Sequence, residues 1–257
     1  MRLQRPGRIV ILLATLLIAV PSAAITTVPV DVICPVCGTK NRFYDYASWG
    51  SYVYQHPSKF QFVFWPYTSS ETFYVCSHCH LTLLMWDFKQ FPKEKREQVR
   101  RVLEKLRIET SPDYTKIPMS VKLVIAGKVY EQLGKDQAFW AGFHRVAAYH
   151  LARENRPEDA AAARGKALAL TQSMLADEQN SEKKKELLLI SAAMKHFLKD
   201  DSGALSDLAV ASQLRFTPEG VGKKEAQGHD AYLAQLINEY SARIKKGTVP
   251  ADLKDEP

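Results

Sequence analysis

Cys34-Pro35-Val36-Cys37-Gly38 and Cys76-Ser77-His78-Cys79-His80 decide how the first third of this 257-residue chain is read. Each is a CxxC pair, whose tight turn can point two thiolates at one ion. Two such turns complete a tetrahedral four-cysteine site of the kind that holds structural zinc. The two motifs contain all four cysteines of the chain, which makes Cys34, Cys37, Cys76 and Cys79 the expected ligands of one Zn2+. The 38 residues between Cys37 and Cys76 exceed the roughly 15 to 20 of a compact double-knuckle site, so an insertion must be looped out. Gly38 follows the first knuckle where a positive φ is often required, and His80 occupies the matching place in the second. His78 and His80 read as exposed knuckle residues, since four cysteines already fill a tetrahedron.

Other uses of the same cysteines are open at this level. In an oxidising compartment Cys34–Cys37 and Cys76–Cys79 could be disulfides, or one pair could serve a thiol-disulfide oxidoreductase. The redox reading needs a CxxC at the start of a helix within a βαβ pattern, and neither motif has that context. Asn41, Arg42 and the aromatic residues beyond them read as a strand leaving the first knuckle.

Between the knuckles, residues 43 to 74 hold 13 of the chain's 26 aromatic residues. Phe60, Phe62 and Phe64 alternate with Gln61 and Val63, and Thr72 to Val75 is β-favouring, so strands are expected on either side of a turn at Trp65-Pro66-Tyr67. The rings serve either as the core of a small β subdomain or as a platform for a ligand, sugar or peptide.

At the N-terminus, Arg2, Arg5 and Arg8 precede a twelve-residue apolar run, Ile9 to Val20, followed by Pro21-Ser22-Ala23-Ala24. That is the anatomy of a secretory signal peptide cleaved after Ala24. The run spans roughly 18 Å as a helix, short of the roughly 30 Å hydrocarbon layer. The alternative is an uncleaved anchor lengthened by Ile25 to Val30. Cys34 lacks the small preceding residues a lipoprotein signal would need, and no second long apolar run follows. Cleavage removes three of the seven net positive charges, and the remainder argues against nucleic-acid binding.

From Pro92 the texture turns helical. Val99, Val102, Leu103 and Leu106 recur at helical spacing, which predicts a helix over 93–108. Further helices are expected over 120–133, 137–154, 157–179, 182–199, 203–215 and 225–245. The run Lys183-Lys184-Lys185 lies beside Glu182 and Glu186 and reads as a solvated face. Ala160 and Ala167 recur as Ala204 and Ala211, 44 residues on, each set after a polar turn. Small residues at that spacing let paired helices pack closely, as in tetratricopeptide-like hairpin arrays with a concave face. The side chains that this packing leaves free on the first helix of each hairpin, His144, Arg145, Lys195 and Lys199, are the expected contacts for an acidic or carboxylate-bearing protein or peptide partner. His144, His150, His196 and His229 show no HExxH spacing, and no catalytic set emerges.

The CPVCG motif, the aromatic stretch ending in Phe73-Tyr74-Val75-Cys76-Ser77-His78-Cys79, and the charged helices and degenerate array beyond it together resemble the bacterial family called domain of unknown function 2225. The resemblance implies a zinc ribbon joined to tetratricopeptide-like helices over roughly residues 32 to 245, and brings no reaction with it. This chain differs in having His80 where the family has Gly and in its signal-like start. The expected organisation is a signal peptide over 1–24, a zinc-ribbon-like β module over 25–92, a helical repeat-like domain over 93–246 and a polar tail over 247–257. The fold class expected is α+β, mostly α. The expected role is that of an exported, non-enzymatic protein- or peptide-binding module of the cell envelope, with an architectural envelope subunit as the alternative. After cleavage no membrane association is expected.

Overall fold

A computed structural model describes residues 26–48, 57–106, 111–177, 182–216 and 220–249. The leader over 1–24, the aromatic residues Trp49, Tyr52 and Tyr54, and residues 250–257 of the tail lie outside the described residues. The fold is α+β and mostly α. Strand β1 (Thr26–Ile33) pairs antiparallel with β2 (Lys40–Ser48), running from Thr26 opposite Ser48 to Ile33 opposite Lys40. Strand β3 (Phe73–Val75) pairs antiparallel with β4 (Thr82–Leu84), Phe73 opposite Leu84. Each CxxC motif is therefore the tip of a two-stranded hairpin. Thr26–Val30, the stretch that would lengthen an N-terminal span, belongs to β1.

Among the described residues eight α-helices follow: α1 (Met85–Lys89), α2 (Arg96–Lys105), α3 (Met119–Leu133), α4 (Gln137–Arg153), α5 (Pro157–Ala176), α6 (Lys184–Phe197), α7 (Asp201–Ser212) and α8 (Lys223–Lys246). Pro92 introduces a 3-10 turn, Lys93–Lys95, and α2 begins only after it. Among the described residues no helix is long and apolar enough to cross a membrane.

The α4/α5 and α6/α7 pairs pack most closely, with α5 against α6 linking them. Their two turns are built alike. Asn155 and Lys199 adopt left-handed φ values of 58° and 72°, the Arg156 N–H donates to Leu151 O, and the Asp200 N–H donates to Lys195 O, both at 2.9 Å. Every one of these positions has its counterpart 44 residues away. Ala160, Ala167, Ala204 and Ala211 are all fully buried, so the methyl-sized side chains do allow close helix approach.

Two large apolar cores, with a small third cluster of Ala141, Met174 and Leu187, hold the described residues together. The first joins the knuckles and all four strands to α1 through α4, and includes the stacked pair Phe43 and Tyr74 at 4.0 Å, with Phe88 and Tyr114 edge-on to Phe43. Residues on both sides of position 92 share this core. The second lies among α5 to α8 and is entered by Phe60 and Phe62.

That entry explains a departure from the sequence reading. Phe60 to Phe64 is not a strand: Pro57–Gln61 is a 3-10 turn and Phe62 has φ 54°. Among the described residues no strand pairs with it, and its hydrogen bonds and ion pair go to helices. Tyr240 donates to Phe60 O at 2.6 Å, Arg164 donates to Gln61 Oε1 at 3.1 Å, and Lys59 pairs with Glu239 at 3.0 Å. These partners outweigh the β propensity of the segment.

Candidate metal centre

The two knuckles share one hydrogen-bond plan. Cys34 N–H donates to Thr39 O and Gly38 N–H to Cys34 O; in the second, Cys76 N–H donates to Leu81 O and His80 N–H to Cys76 O, all between 2.8 and 3.0 Å. The residue after each second cysteine is left-handed, Gly38 at φ 78° and His80 at φ 59°. The turn therefore keeps its geometry despite the missing second glycine, with a histidine in a conformation that glycine adopts at less cost.

The two hairpins are separate sheets that pack through the shared core, Phe43 on Tyr74, and their tips lie side by side with the four sulfurs within 4.8 Å of one another. The closest approaches run between knuckles, Cys34 to Cys79 at 3.6 Å and Cys37 to Cys76 at 3.5 Å. A disulfide needs about 2.05 Å, and all four thiols are free. A tetrahedron with metal–sulfur bonds of about 2.3 Å has sulfur–sulfur edges of about 3.8 Å, which this cluster fits. Cys34 and Cys76 are buried and Cys37 and Cys79 half-buried.

Thiols this close compete for charge. Hydrogen bonds from Cys34 and then Cys79 hold Cys76 far below the usual thiol range. The reciprocal bonds push the others up, Cys34 to about 12 through Cys76 first, and Cys79 further still through Cys34 first. Four thiolates can coexist here only around a cation, which is what a soft metal ion supplies.

The surroundings add one residue that the sequence did not single out. Asn41, on β2, donates from Nδ2 to Cys76 Sγ at 3.6 Å and to Thr39 O at 2.9 Å, while its Oδ1 accepts from Ser77 N–H at 2.8 Å. It thereby ties the second knuckle to the end of the first. Arg100 on α2 donates to Val36 O at 3.3 Å, docking the first knuckle on the helical body. A cleft of about 470 Å³ beside the site is lined by Cys37, His78, Cys79, His80, Arg100 and Glu104 among others.

The four residues expected to contact a partner are placed differently from one another. Lys195 is engaged by Asp207 at 2.7 Å, a carboxylate that also accepts from Ser191. Lys199 stands exposed in the left-handed turn before α7. His144 lies beside Trp140 and Phe143, and burial lowers its pKa. Arg145 is drawn inward over the Phe62 ring at 5.4 Å. The acid whose field reaches it is Glu186, at the start of α6; Lys195 is about two and a half turns further along that helix.

The lysine run is corrected in part. Lys183 and Lys184 are exposed, whereas Lys185 is buried and bonds Asp230 Oδ1 at 2.7 Å. Helical phase rotates Lys185 onto the face carrying Leu188 and Ala192, and α8 supplies the counter-charge. Of the aromatic segment, Phe43, Phe60, Phe62, Trp65, Phe73 and Tyr74 are buried, while Tyr44 and Tyr67 remain exposed.

Comparison with known proteins finds no matching family model, no matching curated protein and no matching solved structure.

Proposed function

We propose that the protein is an exported, zinc-stabilised binding module whose helical hairpins present a surface to a protein or peptide partner, and that it is not an enzyme. The observation that carries this reading is the closed set of four sulfurs joined across two matched knuckles. Four thiolates complete the coordination of a tetrahedral ion and leave no open position for a substrate or an activated water, so the chemistry zinc supplies there is structural. Cys34, Cys37, Cys76 and Cys79 would hold it, with Asn41 bracing Cys76.

The binding half of the proposal draws on the two hairpins related by 44 residues, which resemble a tetratricopeptide-like stack. Export draws on the pattern of residues 1 to 24, the stretch in which this chain departs from the cysteine-motif family that it resembles.

Elemental analysis and a thiol count on protein recovered from the exported fraction test the core of the reading. One zinc per chain and four thiols that react with maleimide only after chelation are expected. Structural zinc contributes on the order of 10 to 16 kcal/mol of apparent folding free energy in small finger peptides, so chelation should unfold the strand hairpins. Two disulfides and no zinc would overturn it, and an intact Met1 on membrane-bound protein would replace cleavage by an anchor.

A further inference from the structure

Away from the cysteines, an apolar cavity of about 280 Å³ opens between the turn following Gln61 and the first half of α4. Phe62, Phe64, Phe73, Phe139 and Phe143 form much of its wall, and the single charged residue in that wall is Arg145. Arginine stays protonated in proteins and carries five donors and no acceptor. Here Nε and Nη1 are closed off from solvent and have no hydrogen-bond partner. The guanidinium lies over the Phe62 ring, and although Glu186 exerts a field on it, the two make no ion pair. Burial pushes Arg145 down to about 10, so it remains cationic at neutral pH.

The repeat shows how unusual this placement is. Shifted by 44 residues, Arg145 corresponds to Leu189, which sits in the second core with 2% exposure. The fold places an apolar side chain there in one hairpin and a charged fork in the other. An unsatisfied buried donor costs about 1–3 kcal/mol, and more when charged. A bound carboxylate would remove that cost once the guanidinium turns its free donors to the cavity, with the attraction strengthened by the apolar surroundings.

The geometry points to a binding site for a small monocarboxylate with an aryl-alkyl body, its carboxylate on Arg145 and its ring among the phenylalanines. An engineered apolar cavity of about 150 Å³ holds one benzene, so this one has room for a ring, a short chain and the acid group. The inference invokes none of the four cysteines, although Phe73 of the wall lies on the hairpin that carries Cys76, so the titration uses protein with its metal site undisturbed.

The probe is 4-phenylbutyrate, titrated calorimetrically into the full purified chain at pH 7, with 4-phenylbutanol as its neutral counterpart. Saturable one-to-one binding is expected, at least about tenfold tighter for the acid, as a charge-assisted hydrogen bond implies. Arg145→Met should erase the preference for the acid. Gly142→Leu, which extends a side chain from a lining position of α4 where a Cβ meets only Arg145 Nη2 at 3.7 Å, should block both probes at unchanged helical content. It also carries the test should Arg145→Met fail to fold. No saturable binding at millimolar acid, equal affinity for acid and alcohol, or undiminished binding by Gly142→Leu would each overturn the proposal.

Discussion

Asn41 and Cys76, 35 residues apart in the chain, meet where the Asn41 side-chain amide donates to the Cys76 sulfur at 3.6 Å. The other end of the same amide accepts from the Ser77 N–H. One side chain thus fixes both the sulfur and the turn that carries it. Groups that orient metal ligands in this way typically contribute 10- to 100-fold in metal affinity, or roughly 1.4 to 2.8 kcal/mol. Asn41→Ala should weaken zinc binding by about that factor in competition with a chromophoric chelator, while Asn41→Asp keeps the acceptor and loses the donor to sulfur. Unchanged affinity in Asn41→Ala would mean that the contact is incidental.

His80 tests the second knuckle. With φ at 59°, a β-branched side chain should suffer most, so His80→Val should lower folding stability by about 1–2 kcal/mol. His80→Gly should fold at least as well as the parent and keep its zinc. Denaturant melts of the three zinc-loaded proteins read this out. A melt in which Val and Gly behave alike would show that the turn is not strained.

His150 gives a pH dependence. The carbonyl of Tyr67 accepts from its Nε2 at 2.7 Å, so the neutral ring carries its proton there. Burial, with smaller contributions from Arg153 and Lys122, lowers its pKa to about 4 against the opposing effect of the Tyr67 bond. Between pH 6.5 and 4 the unfolded chain binds a proton on this ring that the folded chain does not. Stability contributed by this group is therefore present above pH 6.5 and lost as pH falls through the window, by about 3 kcal/mol. Acid would also release a metal held by the four cysteines, so the informative quantity is the difference from His150→Gln. The variant should show the shallower acid loss in urea titrations between pH 7 and 4.5; parallel curves would refute the assignment.

The buried Lys185 pairs with the half-buried Asp230 at 2.7 Å, and the same carboxylate oxygen accepts from the Phe216 N–H. Asp230→Ala removes the counter-charge and leaves the lysine only the Asp230 backbone carbonyl at 3.3 Å, which should cost about 1.5–3 kcal/mol. Adding Lys185→Met should recover most of that loss, because the stem already packs in an apolar site. A double variant no more stable than Asp230→Ala would place the loss in the Phe216 hydrogen bond instead.

Residue spacing alone was enough to determine the cysteine cluster and the helical body. CxxC turns bring sulfurs together locally, and helical periodicity marks a buried stripe without reference to a partner, so Cys34, Cys37, Cys76, Cys79 and the helices from α2 to α8 are legible in the chain. The alanines at 160, 167, 204 and 211 announced close packing for the same local reason. What only the tertiary structure decided are the roles set by distant elements. Phe60 to Phe64 alternates like a strand yet turns into the second core because Tyr240 and Arg164 hold it there. Lys185 looked like one of three solvated charges until α8 presented Asp230. Asn41 is an ordinary strand residue until the second knuckle arrives beside it. Arg145 falls on a helix face that its own sequence reads as free and that the Phe62 turn closes over. A side chain's local pattern fixes which face it occupies; whether that face meets water, an opposite charge or an aromatic wall depends on chain segments far away in sequence, and no local pattern carries that information.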